Sequence, residues 1–231
     1  MSKRLIVVVA VLLVLIVAAS EALLPTVLSE FVAQSMRGLI NADHVYVRLE
    51  KHPAVLMLGG QFDAITVTAT NVKIDKIMFS EMLVALKEVQ LDTSALLTRR
   101  QMTLQSVGDI DLMATVTQDE LSRFLNQSVK GVKNAVVSIT PEKAQVTSQF
   151  ALGGFANVAI TLDGKVVSDG QKIKFVTERF LLNNVLVGNI GGSLLGEIVL
   201  ADLKNLPFSV SIRQVVMENG KVTVYTDNRS R

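Results

Sequence analysis

The stretch FDAITVTATNVKI, residues 62–74, alternates side chains with a period of two. Ile65, Val67 and Ala69 point one way, and Thr66, Thr68 and Thr70 point the other. That period fits a strand with one buried face and fits no helix. The pattern recurs. HVYVRLE sets Val45, Val47 and Leu49 against Tyr46, Arg48 and Glu50 and stops before Pro53, and GDIDLMATVT alternates Ile110, Leu112, Ala114 and Val116. Beyond residue 134 the strand pattern dominates. AVVSIT meets AQVTSQF at Pro141-Glu142, ANVAITLDGKVVS meets KIKFVTERF at Asp169-Gly170, and FSVSIRQVVM meets KVTVYTD at Asn219-Gly220, a strong hairpin signal. MLVALKEVQLD, 82–92, has a helical composition. It is read as a strand on Leu83, Ala85, Val89 and Leu91, with a break at Lys87. Because strands do not alternate with helices, the expected class is α+β, built on one long antiparallel sheet.

Three segments carry helical spacing instead. Pro25 can occupy a first turn, and Val27, Leu28, Phe31, Val32, Met36, Leu39 and Ile40 follow on one face. In TQDELSRFLNQSV, Thr117 and Glu120 have the spacing of a capping box; Leu121, Phe124, Leu125 and Val129 share a face, and Gly131 is the expected stop. NIGGSLLGEIVLADL is the third expected helix. Gly188, Gly192 and Gly196 would leave one side of it bare for close packing on the sheet or beside a bound lipid chain.

The N-terminus determines where such a fold resides. Lys3 and Arg4 precede fifteen unbroken apolar residues, Leu5 to Ala19, before Ser20 and Glu21. As a helix the run rises about 22 Å, the length of a signal-peptide core and less than the roughly 30 Å of a bilayer interior. Ala18-Ala19-Ser20 could be cleaved before Glu21, whereas Ala22, Leu23 and Leu24 resume the apolar character as an anchor would. Residues 1–21 are therefore read as a signal peptide or membrane anchor and 22–231 as one domain, with no Pro/Gly/Ser-rich linker dividing it. Either reading exports the remainder to the periplasm or cell envelope, leaving the two cations in the cytoplasm.

Composition narrows the chemistry. The 231 residues carry 19% charged side chains and a formal charge of +2, with no basic tract for nucleic acid. There is no Cys, which excludes disulfides, thiolate nucleophiles and thiolate metal sites. His44 and His52 are the only His residues, and neither has a second ligand at helical spacing. Asp109 and Asp111 share one strand face but are read as solvated edge residues. GNIGGSLLG lacks the Gly-Lys-Ser/Thr ending of a phosphate loop, and no nucleophile elbow occurs. No catalytic residue, metal site or cofactor is expected, and the protein is read as a non-enzyme.

Several features coincide with a known family in both order and spacing. An apolar export segment precedes an amphipathic helix, then HPAVLMLGGQFDAITVTATNVKI, the Thr-capped ATVTQDELSRFLN, and finally LPFSVSIRQVVMENGKVTVYTDN. Over residues 22–228 the chain resembles the LmeA-like phospholipid-binding family of bacterial envelope proteins. The resemblance implies a curled antiparallel sheet wrapped around amphipathic helices, similar to the tubular lipid-binding (TULIP) fold, with phospholipid as partner and no catalytic residues.

The aromatic content of 5% bears on that implication. Two acyl chains of about sixteen carbons expose on the order of 25 kcal/mol of apolar surface, at roughly 0.8 kcal/mol per methylene, so a carrier must offer a dry lining. Periodicity nominates Leu28, Phe31, Val32, Ile65, Val67, Phe124, Leu125, Leu194, Leu195 and Ile198 as that lining. The expected function is extracytoplasmic phospholipid binding, in lipid transport or envelope maintenance. The alternative is a non-enzymatic envelope adaptor with a solid core.

Overall fold

The computed structural model describes residues 3–74, 76–129, 132–152, 156–188, 198–205 and 210–229. In chain order it contains helix α1 (Lys3–Ile40), β1 (His44–Glu50), a 3-10 turn (Ala54–Gly59), β2 (Gln61–Ile74), β3 (Ile77–Leu91), α2 (Thr93–Arg99), β4 (Leu104–Ser106), β5 (Ile110–Thr117) and α3 (Gln118–Ser128). Strands β6 (Val132–Ile139), β7 (Ala144–Leu152), β8 (Ala156–Asp169), β9 (Lys172–Leu182), β10 (Val185–Gly188), β11 (Ile198–Asp202), β12 (Ser211–Glu218) and β13 (Lys221–Asp227) follow. The class is α+β, as expected. Two open sheets take the place of the single long one. One runs β1-β2-β3-β5-β13-β12 with β4 beside β3, and the other runs β10-β9-β8-β7-β6 with β11 beside β9.

The chain forms two compact units, the first of Met1–Ala69 and Leu83–Ile110, the second of Thr70–Met82 and Asp111–Arg231. In the first, α1 lays Leu28, Val32, Ala33, Met36 and Ile40 against β1, the 3-10 turn and α2, all buried at helical spacing. Val45, Val47 and Leu49 of β1 supply facing side chains, and Ile65, Val67 and Ala69 of β2 are buried as well. Ser35 Oγ accepts the Met102 amide at 2.8 Å, satisfying backbone that enters this core.

The helix differs from its expected division. The apolar run and the amphipathic segment form one continuous α1 of 38 residues, with Pro25 inside it. Pro removes one helical hydrogen bond, yet the apolar contacts that follow keep the helix in place. Within the apolar run, Val11, Leu12, Leu13, Val14, Leu15, Ile16 and Val17 are all exposed in the isolated chain. Glu21 marks where the helix meets the body: its carboxylate accepts the Ala54 amide at 2.8 Å and lies 3.3 Å from His52 Nδ1.

Strand β3 confirms the reading of 82–92 but shifts its faces. The buried residues are Met82, Val84 and Leu86, then Val89 and Leu91, because Lys87 and Glu88 together form an irregularity. Glu88 has φ 51°, and Lys87 pairs by backbone with Gly108 and Asp109 opposite. Leu83 and Ala85 accordingly fall on the half-buried face.

In the second unit the β12–β13 hairpin closes at Asn219-Gly220, as expected, with Glu218 opposite Lys221. Gly220 has φ 78°, a conformation that the turn requires and glycine adopts freely. The segment expected as a third helix falls mainly outside the described residues. Its described end is strand β11, antiparallel to β9 with Ile198 opposite Phe175. The β-branched Ile198 and Val199 suit the edge position that β9 offers. A helix not anticipated, α2, begins at Asp92, whose carboxylate caps the Ala95 amide at 2.9 Å.

Candidate functional site

The site is built on α3 in the second unit. Thr117 starts the helix by accepting the Glu120 amide at 3.3 Å, and Glu120 pairs with Arg123 at 2.6 Å. Residues Leu121, Phe124 and Leu125 are buried beneath it. The helix ends at Ser128, before the expected Gly131, which lies outside the described residues.

What positions α3 is a row of side chains four residues apart. Strand β6 ends its sheet, so its outward amides need partners. Asn126 takes both polar groups of Ala135, its Oδ1 accepting the amide at 2.8 Å and its Nδ2 donating to the carbonyl at 2.9 Å. Ser122 Oγ accepts the Val137 amide at 2.8 Å while donating to the Gln118 carbonyl at 2.7 Å. Gln118 Oε1 accepts the Ile139 amide at 3.3 Å. Four helical residues rise about 6 Å and two strand residues about 6.6 Å, so the two rows stay in step over this length. A register irregularity at Asn134, with φ 53°, precedes the first contact.

The other side of α3 covers the sheet. Between them lies a slot of about 20 Å³ lined by Leu121, Leu125, Val137, Ala144, Val146, Val166, Phe175, Ile198 and Leu200. Each strand from β6 to β9, and β11, contributes to it. All lining side chains are apolar, so a hydrocarbon entering the slot would strip water from no polar side chain. The volume admits about one water-sized group.

Ile198 and Leu200 also line a larger cleft of about 580 Å³, together with Lys76, Phe124, Ser128, Val129, Val199, Ala201 and Asp202. That is within the roughly 300–1,000 Å³ of ligand sites. Beside it, a pocket of about 130 Å³ is lined by Lys73, Lys76, Met78, Glu120, Arg123, Phe124 and Gln127. Lys76 and Phe124 belong to both. The site therefore comprises an aliphatic slot, a cleft of mixed apolar and polar lining, and a pocket lined by three cations and Glu120.

Of the nominated lining residues, Phe124, Leu125 and Ile198 meet here. Leu28, Val32, Ile65 and Val67 are buried in the first unit, where Phe31 is half-buried. Leu194 and Leu195 lie outside the described residues. The strand residues Val137, Val146, Val166, Phe175 and Leu200 are additions that periodicity does not nominate. Their alternation is legible, but nothing in it separates residues facing a cleft from residues facing solid core.

The polar candidates are dispersed. His44 is exposed at the start of β1, and His52 is exposed beside Glu21. Asp111 accepts from Arg229 at 2.6 Å. Among the described residues no three His, Cys, Asp or Glu side chains cluster as metal ligands would.

A family model described as LmeA-like phospholipid-binding matches residues 19–227. No curated protein and no solved structure gives a significant match. The family match spans α1 from its apolar end, both sheets and the α3 site, and on that coverage the chain belongs to the LmeA-like phospholipid-binding family.

Proposed function

We propose that this protein binds phospholipid outside the cytoplasmic membrane, with residues 22–231 as the binding body and residues 1–21 as a retained N-terminal anchor. The observation that carries the proposal is the apolar slot under α3, which shares Ile198 and Leu200 with a ligand-sized cleft beside it. An acyl chain lies along the cleft against Phe124, Val129 and Leu200. Its end enters the slot as the apolar face of α3 lifts from the sheet. Every methylene so placed is worth roughly 0.8 kcal/mol relative to water, enough over a chain to offset departure from a bilayer.

The continuous helix favours the anchor. Residues 5–20 of α1, sixteen in number, rise about 24 Å, most of the roughly 30 Å of a hydrocarbon interior. A stretch of α1 is long and apolar enough to cross a membrane by length and composition. Glu21 then lies near the membrane surface, where Ala54 and His52 hold its carboxylate. The envelope role, whether lipid transport or maintenance, follows from such a tethered carrier facing the bilayer it draws on.

The test is lipid extraction and native mass spectrometry on the full chain purified in detergent. The expected result is co-purifying phospholipid, and renewed loading from vesicles after delipidation. Protein that neither carries nor regains phospholipid overturns the proposal and leaves the solid-core adaptor as the better reading.

A further inference from the structure

We infer that the pocket beside the cleft reads the charge of the lipid headgroup, and that the protein selects anionic over zwitterionic phospholipids. The inference rests on the phospholipid-binding reading above and adds to it the class of lipid. Three cationic side chains line one small pocket: Lys73 at the end of β2, Lys76 in the β2–β3 turn, and Arg123 on α3.

Buried Ile74 and Ile77 fix the two lysines. These neighbours point into the core, which leaves Lys73 and Lys76 facing out. Arg123 stands one turn after Glu120 on the same side of α3 and is neutralised by it at 2.6 Å. Among the described residues neither Lys73 nor Lys76 has an ion-pair partner. Asp75, between them in sequence, is outside the described residues. Asp202 lines the cleft but not the pocket, and its carboxylate accepts the Lys204 amide at 3.1 Å.

The arrangement matches an amphiphile. Lys76 and Phe124 border the apolar cleft and the cationic pocket at once, so a ligand seated across them places hydrocarbon on one side and an anion on the other. A phosphodiester with no compensating ammonium meets the two lysine ammonium groups there. A choline headgroup brings its own cation into the same space and gives up that gain. Two exposed charge contacts of this kind amount to a preference of about five-fold.

The experiment loads delipidated full-length protein from detergent with an equimolar mixture of phosphatidylglycerol and phosphatidylcholine of matched acyl chains. The bound lipids are then extracted and quantified by mass spectrometry. The expected phosphatidylglycerol to phosphatidylcholine ratio is about five, falling toward one as salt rises to about 1 M, where the Debye length is about 3 Å. The double variant Lys73→Gln/Lys76→Gln is expected to bring the ratio to about one at low salt. A double variant of equal charge change elsewhere, Lys165→Gln/Lys221→Gln, is expected to keep the wild-type ratio. Equal loading of both lipids by the wild type overturns the inference and leaves phospholipid binding standing. No loading of either lipid overturns both. Inorganic phosphate or glycerol phosphate that removes bound phosphatidylglycerol at concentrations equal to the lipid also overturns it, because the pocket is then a site for free anions.

Discussion

Replacing Leu125 with Ala tests whether the slot under α3 accepts an acyl chain. Leu125 is 5% exposed and sits over the slot with Leu121, opposite Val137 and Val146. The substitution removes three carbons from a lining with no polar side chain. In delipidated protein the cost is the lost transfer energy plus the void, about 2–5 kcal/mol for a buried Leu to Ala change. If an acyl chain enters the slot, about three methylenes of it refill the space and restore roughly 2.4 kcal/mol. For a chain of this size about 1 kcal/mol moves Tm by roughly 2–4 °C. Saturating phospholipid should therefore raise Tm in Leu125→Ala by about 5–10 °C more than in the wild type. Differential scanning calorimetry of both proteins, with and without phosphatidylglycerol in detergent, reads the difference. An equal lipid-induced shift in the two proteins means that no hydrocarbon reaches Leu125, and the assignment of the slot fails.

Three further perturbations examine the frame around the site. Asn126→Ala leaves the Ala135 amide and carbonyl without their partner and should cost about 1–2 kcal/mol in urea unfolding, with faster hydrogen exchange at Ala135 and Val137. Gly164→Ala builds a Cβ onto the Val176 carbonyl oxygen and the Phe175 ring, and the backbone must shift; a loss of about 3 kcal/mol in the same assay is expected. At Asp163 burial pushes the carboxyl up, but hydrogen bonds from Gln145 at 2.7 Å and Lys143 at 3.2 Å, with the charges of Lys143 and Arg179, hold it below its ordinary 3.8. Since the folded value is depressed, its contribution is fully present above 3.8 and is lost as pH falls through the folded value. Wild type should lose stability over that acid range, and Asp163→Asn should flatten the profile there; coincident profiles would remove Asp163 from the account.

Much of this architecture is legible in period-two alternation, because the buried face of a strand leaves a mark that composition does not blur. The hairpin at Asn219-Gly220 and the strand through Ile65, Val67 and Ala69 carry that mark cleanly. Where the backbone departs from regular pairing the mark misleads. Glu88 at φ 51° exchanges the faces of β3, so a strict alternation puts Leu83 and Ala85 on the side that Met82 and Val84 occupy. The short α2 escapes periodicity because seven residues hold too few turns, although Asp92 before Thr93 and Ser94 is a usable cap signal. Leu194, Leu195 and Ile198 have helical spacing, but the edge of β9 recruits Ile198 to Asp202 as a strand. Pairing partners distant in sequence decide such cases, and local periodicity contains nothing about them.

The α3 site joins these levels through a division of labour on a single helix. Gln118, Ser122 and Asn126 face the β6 edge and bind it through hydrogen bonds, whereas Leu121, Phe124 and Leu125 face the slot and cleft and bind only by apolar contact. The polar contacts are directional, and each broken one would expose a backbone group at a cost of about 1–3 kcal/mol. The apolar contacts are not directional, and exchanging a Leu–Val contact for a methylene–Val contact costs little. A helix held in this way can turn about its bonded side while its greasy side opens. On the proposed reading an incoming chain would replace one set of aliphatic neighbours by another while the β6 edge kept its bonds to α3. A slot of only about 20 Å³ would then admit a larger ligand if α3 opened on its apolar side with the bonds of Gln118, Ser122 and Asn126 to β6 kept.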